Sequence, residues 1–461
     1  MLTTARLRRD LTLWDLILYG IVIVQPIAPV PLFGITQVDS RGHAVLTILI
    51  GMVAMLFTAV SYGRMAALYP SAGSAYTYVG RGLNPYLGFL AGWGMLLCYL
   101  LFPVINIVYV AVTLHRLFPP LSFTLGAVLC AATFTSLNLR GIRSTRRANQ
   151  ILLVVMCTVI GSFMVLAVRY LFHAQGWSGL FASSPFYEGH TFNLQSLRTA
   201  TAFSILTFLG FDAVSTLAED VQNPRRSVPL ATVLTVLLTG VFSSVQVYLG
   251  QRVWPDYRGF PNVETAFMDV CRRVGGAVLY NAMAAILIVA CFGSALNGQV
   301  SSARILFSMG RENILPREPF AHLDPQRNTT SRNFWIIGLL ALGAAMVLSF
   351  EQGADVLNFG SFLAFMGVNV AAFWQFYASG QRGGARRGAN QAAEPQQQSP
   401  RVLVDALPPL LGFFCCLAIW WGLPAMTKII GGIWLVLGII IAGVATRGFR
   451  SPPPLLAPEE S

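Results

Sequence analysis

The feature that most constrains this chain is a succession of twelve apolar runs, each close to the length of a bilayer crossing and joined to the next by a short polar connection. A spanning helix takes about 20 residues. The runs fall at 14–36, 45–68, 85–114, 122–139, 149–172, 199–219, 229–250, 275–308, 334–350, 354–377, 402–421 and 425–446. In hydrocarbon every backbone amide must be satisfied within its own segment, so each run reads as a helix. The expectation is an all-α integral membrane protein of about twelve transmembrane helices. Charged residues make up only 11% of the 461, and the connections leave no room for a large soluble domain.

The net charge of +12 could point to nucleic acid, but the arginines stand singly or in short clusters between apolar runs. Topology accounts for them better. With the N-terminus cytoplasmic, most basic residues, from Arg6, Arg8 and Arg9 to Arg386 and Arg387, lie inside. The outer side keeps Arg41, Arg116, Arg169, Arg198, Arg252, Arg258, Arg272, Arg273 and Lys428. The positive-inside bias sets both termini in the cytoplasm of a multi-pass inner-membrane protein, with the bilayer itself as a partner and no nucleic acid. The expected organisation is a cytoplasmic start at 1–13, a ten-helix core at 14–377, a polar basic linker at 378–401, two further helices at 402–446, and a disordered proline-rich tail at 447–461. The first run is too long, and lacks the small-residue motif, for a cleaved signal peptide. Six of the seven cysteines lie in apolar runs and Cys271 in a connection, so no disulfide framework is expected.

Two runs are interrupted. The first reads VIVQPIAPVPLFG, where Pro26, Pro29 and Pro31 remove three backbone donors within six residues and free carbonyls that only a protein- or water-lined cavity can satisfy. The sixth reads SILTFLGFDAVSTLAED, with Gly210 and Asp212 in mid-run. A simple kink would account for either alone. Together they occupy corresponding places in two five-helix halves, the pattern that marks a transport site at the bilayer midplane. Gln25, Pro26, Ile27 and Ala28 from the first break and Gly210 and Asp212 from the second are the candidate ligand-binding residues. Phe208 and Phe211 read either as core packing or as a lid over a small ligand. Tyr99 and Asn106 share a face of the third span, and Asn106 reads equally as a tie between helices or a ligand contact. An ionised Asp212 in mid-span costs about 2.5 to 3.5 kcal/mol on insertion scales, more than the roughly 0.3 to 1 kcal/mol a helix start returns. It is therefore the coupling candidate, able to exchange a proton or pair with a cationic amine.

Other chemistries are excluded on residue grounds. The single lysine, Lys428, lies in no glycine loop of the Walker type, so ATP is not the energy source. The five histidines are scattered over different connections, and neither they nor the cysteines have metal-ligand spacing. No cofactor or metal is expected, and no constellation of nucleophile, base and oxyanion donor points to an enzyme.

The run SYGRMAALYPSAGSAYTYVGRGLNPYLGFLAGW, Ser61 to Trp93, resembles the signature of the amino acid-polyamine-organocation superfamily. The same order continues through LNLRGIRSTRRAN at Leu137 to Asn149, FLGFDAVSTLAEDVQNPRRSVPLA at Phe208 to Ala231 and SSARILFSMGRENILPRE at Ser301 to Glu318. FLGFDAV with the later VLNFGSFLAFMGVNV is most similar to the putrescine-importer branch. The resemblance implies a five-plus-five inverted repeat with helices one and six broken, the substrate lying between spans one, three, six, eight and ten. It also exposes departures. Permeases of the superfamily usually carry a Gly-small-Gly turn whose bare amides receive a substrate carboxylate, where this chain has Pro26-Ile27-Ala28. Putrescine importers tend to place acids where Pro31 and Cys98 stand. The lysine that some proton-coupled relatives carry in span five is absent. The expectation is a permease moving amino acids or related amines by alternating access, driven by a proton or sodium gradient or by exchange. A dedicated polyamine importer and a channel or receptor-like protein are the alternatives, and the oligomeric state is open.

Overall fold

The computed structural model describes residues 11–69, 74–140, 146–218, 221–311, 314–322, 324, 330–378, 402–448 and 450. Nearly all of the expected linker and tail, and residues 1–10, lie outside the described residues. In chain order the helices are α1 (Leu13–Val24), α2 (Phe33–Asp39), α3 (Ala44–Leu68), α4 (Ser74–Gly82), α5 (Pro85–Leu117), α6 (Phe123–Leu139), α7 (Arg146–Gln175), α8 (Trp177–Leu180) and α9 (Leu194–Ser204). They continue as α10 (Pro224–Val253), α11 (Ala266–Arg311), α12 (Arg317–Phe320), α13 (Ser331–Ala345), α14 (Phe350–Phe373), α15 (Leu407–Trp421) and α16 (Ala425–Ala445). Among the described residues no strand forms; one isolated bridge joins Leu11 to Val221.

Eight helical segments among the described residues are long and apolar enough to cross a membrane. Four shorter apolar helices, Leu13–Val24, Phe123–Leu139, Ser331–Ala345 and Leu407–Trp421, occupy the other expected runs. Helix starts are set locally. Thr12 and Ser349 close capping boxes with Asp15 and Gln352, and Asn84 caps α5 ahead of Pro85; each side chain supplies an acceptor to an otherwise orphaned amide. The expectation for Cys271 needs correcting. It does not lie in a connection but in the helical stretch before Gly276, whose φ of 64° breaks α11, and it is fully buried.

Small residues and polar pairs fix how the helices meet, as expected where lipid removes the hydrophobic drive between them. A Cβ on Gly94 of α5 would meet the Gly360 carbonyl of α14 at 2.8 Å, so these two helices cross in near backbone contact. Trp93 and Trp434 stack at 4.6 Å and exchange hydrogen bonds, each indole N–H donating to the other's carbonyl at 2.8 and 3.0 Å. They fasten α16 to α5. Between α6, α11 and α13, the buried Gln299 accepts from Asn138 at 2.7 Å and donates to Thr135 Oγ1 at 3.1 Å and to the Phe334 carbonyl at 2.9 Å.

A candidate site where two broken helices meet

The first span breaks as the prolines dictate. α1 ends at Val24, Gln25 takes a positive φ of 67°, and the chain runs through successive turns to α2. Within them the Ala28 and Val30 amides donate to the Gln25 and Ile27 carbonyls at 3.0 Å each. Pro26, Pro29 and Pro31 have no amide to give. Two glutamines take up the slack. Gln246 of α10 donates to the Pro26 carbonyl at 2.8 Å, and Gln25 donates across to the Ala290 carbonyl of α11 at 3.1 Å.

The sixth span leaves α-helical geometry after Ser204, passes through a 3-10 turn at Ile205–Phe208, extends at Leu209, and turns at Gly210 with φ 108° before a second 3-10 stretch at Phe211–Leu217. A Cβ on Gly210 would lie 2.6 Å from the Ile23 side chain. The two breaks therefore face each other, held also by the Leu11–Val221 bridge at their far ends.

Asp212 sits in the first turn beyond the break and is 4% exposed. The backbone amides of Gly210 and of Asp212 itself face its carboxylate, and it takes part in no ion pair among the described residues. Its charge acts on Tyr19 of α1, Tyr62 of α3, Tyr78 of α4, and Cys98 and Tyr99 of α5, so four elements bring phenols within electrostatic reach of one carboxylate. Ser215, one turn on, donates to the Asp212 carbonyl at 2.6 Å and lies 3.3 Å from the Ser74 hydroxyl.

The other candidates are distributed around this centre. Pro26 and Ile27 are buried, while Gln25, Ala28, Tyr99 and Gly210 are partly exposed. Asn106 donates to the Phe102 carbonyl at 2.7 Å and to Ser294 of α11 at 3.1 Å, tying α5 to α11. Phe208 lies against Gly51 of α3, and Phe211 packs on the rings of Tyr62 and Phe365 at 5.5 and 5.3 Å. The sequence reading missed Gln246, Ser294 and the tyrosines Tyr19, Tyr62 and Tyr78. Gln246 carried a usable signal, a lone amide within an apolar run. The tyrosines carried none, because a phenol in a span reads as packing until its neighbours are known.

Chemically this centre suits a small cation. The C-terminal ends of α1 and of the first half of span six bring partial negative charge toward the gap, Asp212 adds a full charge, and the phenols can accept hydrogen bonds.

An all-helical bundle of membrane-crossing elements, with two broken helices facing each other around a buried carboxylate, belongs to the class of integral membrane transport proteins. The chain is a member of the amino acid permease family, whose profile matches residues 34–379. It is similar to the low-affinity putrescine importer PlaP of Escherichia coli K12, 29% identical over 97% of this chain and 96% of the relative. It is also similar to the methylthioribose transporter of Bacillus subtilis, 25% identical over 96% and 94%, and to the branched-chain amino acid permease BcaP of Lactococcus lactis, 24% identical over 84% and 83%. These relatives are transporters and permeases, and the chain is not an enzyme.

Proposed function

We propose that the protein is a secondary active transporter of twelve spans, built as two inverted five-helix halves with a further helix pair. In this reading it resides in the cytoplasmic membrane with both termini inside and carries a small organic amine by alternating access. The observation that carries the cargo class is the buried carboxylate of Asp212 at the paired breaks, outside any ion pair among the described residues and within electrostatic reach of phenols from four helices. An amino acid would present a carboxylate as well, and the first break is poorly equipped to receive one. Three of its residues lack an amide, and two other amides are spent on the loop's own carbonyls. The name of one relative, a putrescine importer, points the same way. A second reading, amino acid transport, is favoured by the branched-chain permease relative.

The helix breaks supply the moving parts. Half-helices joined by a non-helical turn can tilt without losing internal hydrogen bonds, so that the site opens to one side at a time. Asp212 pairs with the substrate amine or carries the coupling proton. A competition panel of labelled diamines and amino acids on purified protein in liposomes, under imposed proton or sodium gradients, separates the readings. Saturable diamine uptake, competed by diamines and indifferent to amino acids, is the expected result. Asp212→Asn keeps the size of the side chain, and it should fold normally yet lose gradient-driven uptake. Unchanged uptake with unchanged pH dependence would make Asp212 a structural cap.

A further inference from the structure

The outward face of α7 carries cationic groups at the end of an apolar stem. Ile160, Phe163, Ala167 and Leu171 form the buried stripe of this helix, and Phe163 packs on Phe267 of α11 with ring centres 4.7 Å apart. The other face is bare: Val154 and Val165 are 64% and 69% exposed. On a helix long and apolar enough to cross a membrane, such side chains face acyl chains. Arg169 stands one turn beyond Val165, and His173 one turn beyond Arg169, so both continue that face. Arg273 and Val274 belong to the first part of α11, just ahead of its break at Gly276.

Between the two helices runs a groove of about 480 Å³, lined by Leu166, Arg169, Tyr170, His173 and Ala174 of α7 and by Val274 of α11. That volume lies in the range of small-molecule sites. Direct contacts fix its walls. A Cβ on Gly275 would lie 3.0 Å from the Leu166 side chain, and Arg273 Nε donates to the Tyr170 hydroxyl at 3.1 Å. That bond leaves the phenol's own hydrogen to donate elsewhere. None of the lining residues is acidic, and Asp269, the acid of the first turn of α11, is paired with Arg116. Neither Arg169 nor Arg273 enters an ion pair among the described residues. Snorkelling accounts for a single arginine reaching headgroup level near a helix end. It does not account for two arginines at one groove with no counter-charge, since like charges repel.

We propose that the groove between α7 and the start of α11 holds one phospholipid with an anionic headgroup, its phosphate at Arg169, Arg273 and Tyr170 and one acyl chain along Leu166 and Val274. The planar donors of a guanidinium match phosphate oxygens, and basic pockets between transmembrane helices take lipid headgroups in this way. The Tyr170 hydrogen and a ring N–H of His173 supply further donors. Leu166 lies roughly 4.5 Å closer to the middle of α7 than Arg169. The apolar wall therefore continues beneath the cations in the direction a lipid tail must run. A soluble phosphate would use the donors and leave the wall bare. The lipid bridges α7 to α11 and stabilises the folded bundle by mass action. The site is the same whichever cargo the broken helices carry.

The test is native mass spectrometry of the purified full-length protein, stripped of lipid and then exposed to phosphatidylglycerol or to phosphatidylcholine with the same acyl chains. Phosphatidylglycerol should be retained in preference, and should raise the unfolding temperature where phosphatidylcholine does not. Arg169→Gln should lower phosphatidylglycerol retention about fivefold, the contribution of one arginine at an anionic lipid surface, and Arg273→Gln should do the same. Lys428→Gln, which removes a charge from α16, should leave retention unchanged. Equal retention of the two lipids, an Arg169→Gln variant as selective as the parent, or an equal loss in Lys428→Gln would overturn the site. So would glycerol 3-phosphate binding as well as phosphatidylglycerol, because the groove would then take a free phosphate and not a lipid. If Arg273→Gln loosens the fold through Tyr170, Arg169→Gln decides alone, since Arg169 makes no hydrogen bond, ion pair or ring contact among the described residues.

Discussion

At the residue scale the clearest determinant is Gly210. Its φ of 108° is a conformation that side chains with a Cβ rarely adopt, and the space a Cβ would need is occupied by Ile23 at 2.6 Å. Gly210→Ala should therefore cost about 2 kcal/mol or more through strain and displacement of span one. It should be read as a lowered unfolding temperature together with reduced uptake; a variant as stable and as active as the parent would show that the two breaks are not in contact. Gly210 was legible in the sequence as an oddity in mid-run, as were the three prolines of the first break. Gln246 was visible as a polar residue out of place, but not its partner, because the Pro26 carbonyl it satisfies lies 220 positions away.

At the element scale, helices that could slide in lipid are pinned by a few buried amides. Gln299 joins α6, α11 and α13 through Asn138, Thr135 and the Phe334 carbonyl. Gln299→Leu would remove these three bonds from the junction, and a buried group left with no other partner costs about 1 to 3 kcal/mol. The expected outcome is a marked fall in thermal stability in detergent, with residual uptake in membranes where the bilayer still confines the helices. An unchanged unfolding temperature would mean that packing alone fixes α13. The individual helices, by contrast, follow from local signals: apolar length, the Thr12 and Ser349 caps, and Pro85 at the first turn of α5.

At the scale of the whole molecule, two measurements bear on topology and on charge. If both termini are cytoplasmic, a cysteine replacing the exposed Ser184 should react with an impermeant thiol reagent in intact cells, and one replacing Arg450 should not, in a background cleared of native reactive thiols. The reverse pattern would invert the protein in the membrane. Asp39, at the end of α2, makes a further prediction. The folded state holds Asp39 protonated up to about 7, far above its ordinary carboxyl value, because of burial and then of the Glu351 charge. The folded chain thus binds more protons than the unfolded one between about 4 and 7. The stabilisation this group provides is full below its unfolded value and is lost as pH rises through about 7. Unfolding temperature should decline between pH 5 and 8, and Asp39→Asn should flatten that decline; an identical profile in the variant would place the Asp39 carboxylate in solvent.

By itself the sequence determined that this chain lives in a bilayer, roughly where its helices begin and end, and which two are broken. Those properties depend on hydrophobic length, on proline's missing amide and on glycine's missing Cβ, all carried by neighbouring residues. Only the tertiary structure decided which side chains share a space. The phenols of Tyr19, Tyr62, Tyr78 and Tyr99 within reach of the Asp212 charge, and the bond from Gln25 to the Ala290 carbonyl, join residues up to 265 positions apart. Such groupings arise from how small residues such as Gly94 and Gly360 let helices cross, and no local pattern encodes a crossing, because a glycine says that something can come close without saying what.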